Sequence, residues 1–133
     1  MNELVRFLNN NNACGPARCW ACRFKSIQEA WEACERTDWM FWAIDLSRRP
    51  EADLREFLAK AIDLVQGDEP VSPFKTKSHL MEQFDAGVFF TFTALCIAAK
   101  AVAGDFYVTR MTRVGIPALL REYIPDIEEW YYA

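Results

Sequence analysis

Apolar residues recur at helical spacing along most of the chain, with polar and charged residues filling the positions between them. Ile27, Trp31 and Cys34 fall at i, i+4 and i+7, which is one face of an α-helix. Glu29, Glu32 and Glu35 form a row on another face of the same helix. Ser26 followed by Glu29 is a capping-box start for it. Leu54, Leu58, Ala61, Ile62 and Val65 draw the stripe of a second amphipathic helix, opened by Pro50 after the break at Arg48-Arg49. It runs to about Gln66, and Gly67 ends it. Its wet side carries Glu51–Arg55 and Glu56–Lys60, opposite charges one turn apart. Between these two helices, Thr37-Asp38 is the capping pair of a segment from Trp39 to Leu46. That segment is apolar nearly all round, the pattern of a helix buried on several sides.

The remaining segments are read the same way. One or two helical turns at the N-terminus end in the Asn9–Asn12 run, whose side chains favour turns. Pro16 suits the first turn of a short helix. Asp68 to Lys77, with Pro70 and Pro73, is a loop. A long helix is expected from about Ser78 to Ala103, with Glu82 and Asp85 early, Lys100 late and Gly104 at its end. Asp105 caps a segment from Phe106 to Val114, which reads as helix although Val108 and Thr109 give it some strand character. Pro117 opens a last helix, Ala118 to Tyr123, which Pro125 terminates, and Asp126 to Ala133 is an acidic, aromatic tail. The sum is an all-α fold, a compact single-domain bundle of six to seven helices over residues 1–133.

Composition adds limits. An apolar fraction of 52% and a charged fraction of 26% are ordinary for a globular domain. Fifteen Lys and Arg against nineteen Asp and Glu give a net charge of −4, which argues against direct nucleic-acid binding and against an anionic membrane surface. The longest uncharged stretch, Ala86 to Ala99, is fourteen residues, and a span needs about 20. No secretory signal pattern opens the chain. An odd set of five cysteines suits free thiols in a reducing bacterial cytoplasm better than a disulfide framework.

Candidate chemistry is sparse. Cys14-x4-Cys19-x2-Cys22 with Cys34 beyond supplies four thiols, a set able to hold zinc or an iron–sulfur cluster. The competing reading is that these cysteines pack as small hydrophobes, with no cofactor. His79 is the single histidine. On one straight helix it would stand about 25 Å from Cys96, too far for a nucleophile pair. The five glycines are scattered singly, so there is no phosphate-binding loop. No catalytic residue is assigned, and an enzyme is not expected. The aromatics are the most unusual feature. Trp20, Trp31, Trp39 and Trp42 crowd into 23 residues, either as one N-terminal core or with one or two left exposed as interface anchors. Trp130 and Tyr131 in the acidic tail are better placed as anchors for a partner.

One set of residues carries a family resemblance: Ala13-Cys14, Trp20, Glu29-Ala30-Trp31-Glu32-Ala33-Cys34, Asp38-Trp39-Met40-Phe41-Trp42 and Leu120-Arg121-Glu122-Tyr123-Ile124-Pro125. Their order resembles a loose group of small helical proteins of bacteria, phages and prophages, some labelled immunity proteins. It covers roughly residues 3–46 and 78–125, and the chain departs from it with Phe89, Phe90 and Phe92 and with Cys19 and Cys22. The resemblance implies a mobile-element or conflict-system protein that acts by binding, and it assigns no catalytic residue.

The functional expectation is therefore a phage- or mobile-element-encoded inhibitor of a bacterial defence effector, anti-CRISPR-like, that covers a basic nucleic-acid-binding surface on its protein partner. The candidate contact residues are Glu29, Glu32, Glu35, Asp38, Asp126, Glu128, Glu129, Trp130 and Tyr131, with Glu51 and Asp53 as a further acidic face. An immunity protein neutralising a toxin and a cysteine-ligated metal module are the alternatives. A homodimer packed through the Phe-rich helix is compatible with each.

Overall fold

Every regular element among the described residues is helical. The computed structural model describes residues 3–47 and 51–132. Four helices come first: α1 (Glu3–Asn10), α2 (Gly15–Ala21), α3 (Ile27–Ala33) and α4 (Thr37–Ser47). A 3-10 turn at Glu51–Leu54 leads into α5 (Arg55–Gln66). After α6 (Lys77–Asp85) and α7 (Thr91–Ala103) come α8 (Tyr107–Arg113), α9 (Ile116–Tyr123) and α10 (Ile127–Tyr132). Pro50, the expected helix opener, lies outside the described residues, and α5 itself begins at Arg55.

The centre of the bundle is the contact of α5 with α7. The α5 stripe of Leu58, Ala61, Ile62 and Val65 is fully buried, as are Ala94, Leu95, Ala98 and Ala99 on α7. Alanines on both faces let the two backbones approach closely. Gln66, at the end of α5, donates to the Ala98 and Lys75 carbonyls at 3.5 and 2.7 Å. This places the C-terminal halves of α5 and α7 side by side. α6 runs against α5: Arg55 donates to both Asp85 carboxylate oxygens at 2.7 and 2.9 Å, and Lys77 reaches Asp63 at 2.7 Å from the other end. These exposed pairs set register more than they add stability.

Several boundaries differ from the sequence-based expectation. The long helix from Ser78 to Ala103 is two helices. The Gly87 N–H donates to the Phe84 carbonyl at 3.0 Å and the Val88 N–H to the Gln83 carbonyl at 2.9 Å, with Gly87 at φ +77°. This is a Schellman stop, and it turns the chain before α7 begins. The segment 107–113 is helical despite its β-branched residues. Thr37 is the first helical residue of α4 rather than its cap. Its hydroxyl is buried without a hydrogen-bond partner among the described residues. Arg55 pairs with Asp85, the Glu51 side chain lies outside the described residues, and Glu56–Lys60 forms as expected at 3.2 Å. The segment after Pro125 is the helix α10, not a tail. The run Thr91–Arg113 is long and apolar enough to cross a membrane by length and composition alone, yet Ala94, Leu95, Ala98, Ala99 and Met111 lie in the core.

Candidate functional site

The acidic candidates separate into two groups once folded. The first group gathers where α10 folds back on α3, and Gln28 holds the two helices together. Its Oε1 accepts the Ile127 N–H at 2.8 Å. Its Nε2 donates to the Pro125 carbonyl at 2.9 Å and to Glu32 Oε1 at 3.0 Å. Its backbone N–H donates to Glu128 Oε1 at 3.4 Å. Asp126 Oδ1 accepts from the Glu128 N–H at 3.1 Å and so caps α10. Behind this contact, the Trp31 indole N–H donates to the Ile124 carbonyl at 2.8 Å, and Ile124 and Ile127 are fully buried. Glu29 faces solvent on α3 and accepts from the Lys25 N–H at 3.0 Å, while Ser26 Oγ accepts from the Glu29 N–H at 3.1 Å. Glu32, Asp126 and Glu128 thus meet around Gln28, although they come from opposite ends of the chain, and Glu29 and Glu129 are exposed on the same two helices.

The second group is neutralised within the fold. Glu35 lies beyond the end of α3, so it does not continue the row of Glu29 and Glu32. It pairs with Arg121 at 3.2 Å, and Arg121 also donates to the Cys34 carbonyl at 2.6 Å. Asp38 accepts two bonds from Arg36 at 3.0 and 2.7 Å, and the Arg36 guanidinium lies 4.5 Å from the Trp39 ring centroid. Asp53 is exposed, away from both groups in sequence. The Glu51 and Tyr131 side chains lie outside the described residues. Trp130 is half buried and packs on the core, so it is not a freely projecting anchor. Gln28 and Arg121 organise the site; in the sequence Arg121 stands out only as part of the Leu120–Pro125 motif, and Gln28 does not stand out. The only local trace was Gln28 one helical turn before Glu32.

The cysteines do not assemble as a four-thiol cluster. Cys14, Cys19 and Cys22 are exposed, Cys34 is buried and Cys96 is half buried. Cys22 Sγ donates to the Cys19 carbonyl at 2.9 Å. Cys14 and Cys34 line an N-terminal cavity that Cys19 and Cys22 do not reach. Among the described residues no three His, Cys, Asp or Glu side chains gather as a metal site. His79 sits in the first turn of α6 and Cys96 on α7, so the single-helix spacing between them does not apply. The His79 ring instead meets Phe74 edge-on at 5.6 Å.

Burial raises the pKa of the Cys34 thiol above its ordinary value and pushes that of Cys96 up to about 11. A folded thiol held above its unfolded value contributes stability below that unfolded value and loses it as pH rises through the folded one. We therefore expect stability to fall from pH 9 toward 11, with Cys96→Ala flattening part of that decline by on the order of 1–2 kcal/mol. Thermal unfolding across this range under reducing conditions checks it. Parallel curves for the two proteins would remove Cys96 as the cause.

The four N-terminal tryptophans split between core and cavity wall. Trp31 is buried. Trp20, Trp39 and Trp42 are half buried around a cavity of about 460 Å³ between α1, α2, α3 and α4. Trp20 and Trp39 stand 5.6 Å apart at 52°, and Phe7 meets Trp42 edge-on at 6.3 Å. Of the Phe-rich stretch, Phe92 stacks on Phe41 at 4.9 Å and Phe89 packs on the core, leaving Phe90 exposed. Comparison with protein-family models, with curated proteins and with solved structures finds no match for this chain.

Proposed function

We propose that this chain is a non-enzymatic inhibitor that binds a basic surface of a protein partner through the acidic α3–α10 face. The observation that carries this reading is the meeting of Glu32 and Glu128 at Gln28. Carboxylates fixed on packed helices can stand in for phosphates, steer association with a cationic surface and fix register on it. A flexible acidic tail would lose ordering entropy on docking, and α10 is already ordered. The family resemblance supplies context, a mobile-element or conflict-system protein that acts by binding, and within it the partner we propose is a nucleic-acid-binding effector of a bacterial defence system. A toxin with a basic surface would use the same face, which makes the immunity-protein reading the second one.

The test is a double charge reversal, Glu32→Lys with Glu129→Lys, at two exposed positions. Glu32 accepts a hydrogen bond from Gln28, so thermal unfolding of the variant is measured beside binding, and a fold retained at the assay temperature is expected. A pull-down from lysate of a bacterium with active CRISPR effectors, read by mass spectrometry, is expected to recover an effector subunit with the wild-type chain. The variant should lose it by on the order of tenfold or more, roughly 1.4 kcal/mol per decade. Equal recovery by both proteins removes the acidic face, and recovery of no effector removes the defence-effector partner. Stoichiometric recovery of a toxin selects the immunity-protein reading.

A further inference from the structure

The N-terminal cavity is a space the sequence leaves unfilled. Of its aromatic wall, Phe7, Trp20, Trp39 and Trp42 are half buried and Trp31 is buried. Between them the wall is formed by Ala13, Ala17, Ala21, Ala30 and Ala43. An alanine at each of these positions, where a leucine would reach inward, keeps the centre open. The helices around it form a second hydrophobic cluster beside the main core, and α1 has α2 as its principal packing partner. A volume of about 460 Å³ falls in the range of small-molecule sites, about 300–1,000 Å³.

The electrostatics of the wall narrow the ligand. Its charged residues are Arg36 and Asp38, which neutralise each other through two hydrogen bonds at 3.0 and 2.7 Å. The Arg36 guanidinium is further engaged by the Trp39 ring. No net charge is left at the wall to hold an ionised head group. The rings of Phe7, Trp20, Trp39 and Trp42 offer faces and edges that favour a planar aromatic guest. We propose that this cavity is a binding site for an uncharged, planar aromatic molecule of two or three fused rings. The site is separate from the acidic α3–α10 face and does not depend on it.

The experiment titrates the full chain with 2-naphthol and, as its charged counterpart, 2-naphthoate, read by displacement of Nile red and by calorimetry. Saturable 1:1 binding of 2-naphthol is expected, with 2-naphthoate at least about tenfold weaker, about 1.4 kcal/mol. Ala17→Leu, which fills the cavity from α2, should weaken 2-naphthol by about tenfold or more without lowering the melting temperature. If Ala17→Leu does not fold, Ala43→Leu fills the same space from α4. A further readout is Cys14, at the cavity wall, which bound 2-naphthol should shield from alkylation relative to Cys22. Absence of saturable binding overturns the proposal. So does undiminished binding to a folded cavity-filling variant, which would place the probe on exposed side chains such as Phe74 or Phe106. Equal affinity for 2-naphthoate overturns the assignment to uncharged ligands. None of these outcomes bears on partner recovery through Glu32 and Glu129.

Discussion

Trp31→Ala is expected to lower the unfolding free energy by about 3–5 kcal/mol, the range for removing a buried large aromatic side chain. Trp31 is 3% exposed and belongs to the main core. It is also the point where the N-terminal helices grip the C-terminal segment, since its indole N–H reaches the Ile124 carbonyl at 2.8 Å. Truncation opens a cavity and leaves a buried carbonyl unsatisfied, and the two costs act together. Trp31→Phe keeps most of the volume and loses the hydrogen bond, so about 1–3 kcal/mol is expected from it. Domains of this size have about 5–15 kcal/mol in total, which makes the alanine variant marginal at room temperature. Guanidinium unfolding should show the midpoint falling with little change in slope. A loss under 1 kcal/mol for the alanine variant would mean that Trp31 does not bridge the two parts.

The local elements were legible because their signals are local. Ser26 and Glu29 form the expected start of α3, the α5 stripe is buried as its spacing requires, and Pro117 opens the helix before Pro125. Gly87 was misread because it lies within an apolar run, with no proline beyond it to mark a stop. Its role shows in the Gln83 and Phe84 carbonyls that the turn satisfies. Glu35 was placed with Glu29 and Glu32 because helical spacing was extended past the point where α3 ends at Ala33. The acidic face was legible as composition and not as geometry. Nothing near residue 28 indicates that its amide will bind the backbone around residues 125–127. The same limit applies to the cavity, since its wall alanines are spread over three helices and the loop after α1. Cysteine spacing suggested one cluster, whereas the fold puts Cys14 and Cys34 at the cavity and leaves Cys19 and Cys22 exposed.

Ile127→Ala is expected to cost about 2–5 kcal/mol, because a fully buried branched side chain is lost where α10 meets the core. Deleting residues 126–133 would remove the same anchor, so loss of partner binding by that deletion would not distinguish a contact from an unfolding effect. Gln28→Ala is the more informative change. It removes the acceptor of the Ile127 N–H and the donor to Pro125 and Glu32 while leaving every charge in place. About 1–2 kcal/mol of stability should be lost, with hydrogen exchange of the Ile127 amide accelerating as α10 frays. If the acidic face works as a fixed array, this neutral substitution also weakens partner binding, because the side-chain bonds that dock α10 on α3 are lost and only the backbone N–H of residue 28 still reaches Glu128. If net charge alone matters, Gln28→Ala binds like the wild type while Glu32→Lys with Glu129→Lys does not. The pair of measurements separates geometry from charge: a stable but weak-binding Gln28 variant requires that α10 be docked on α3 for recognition.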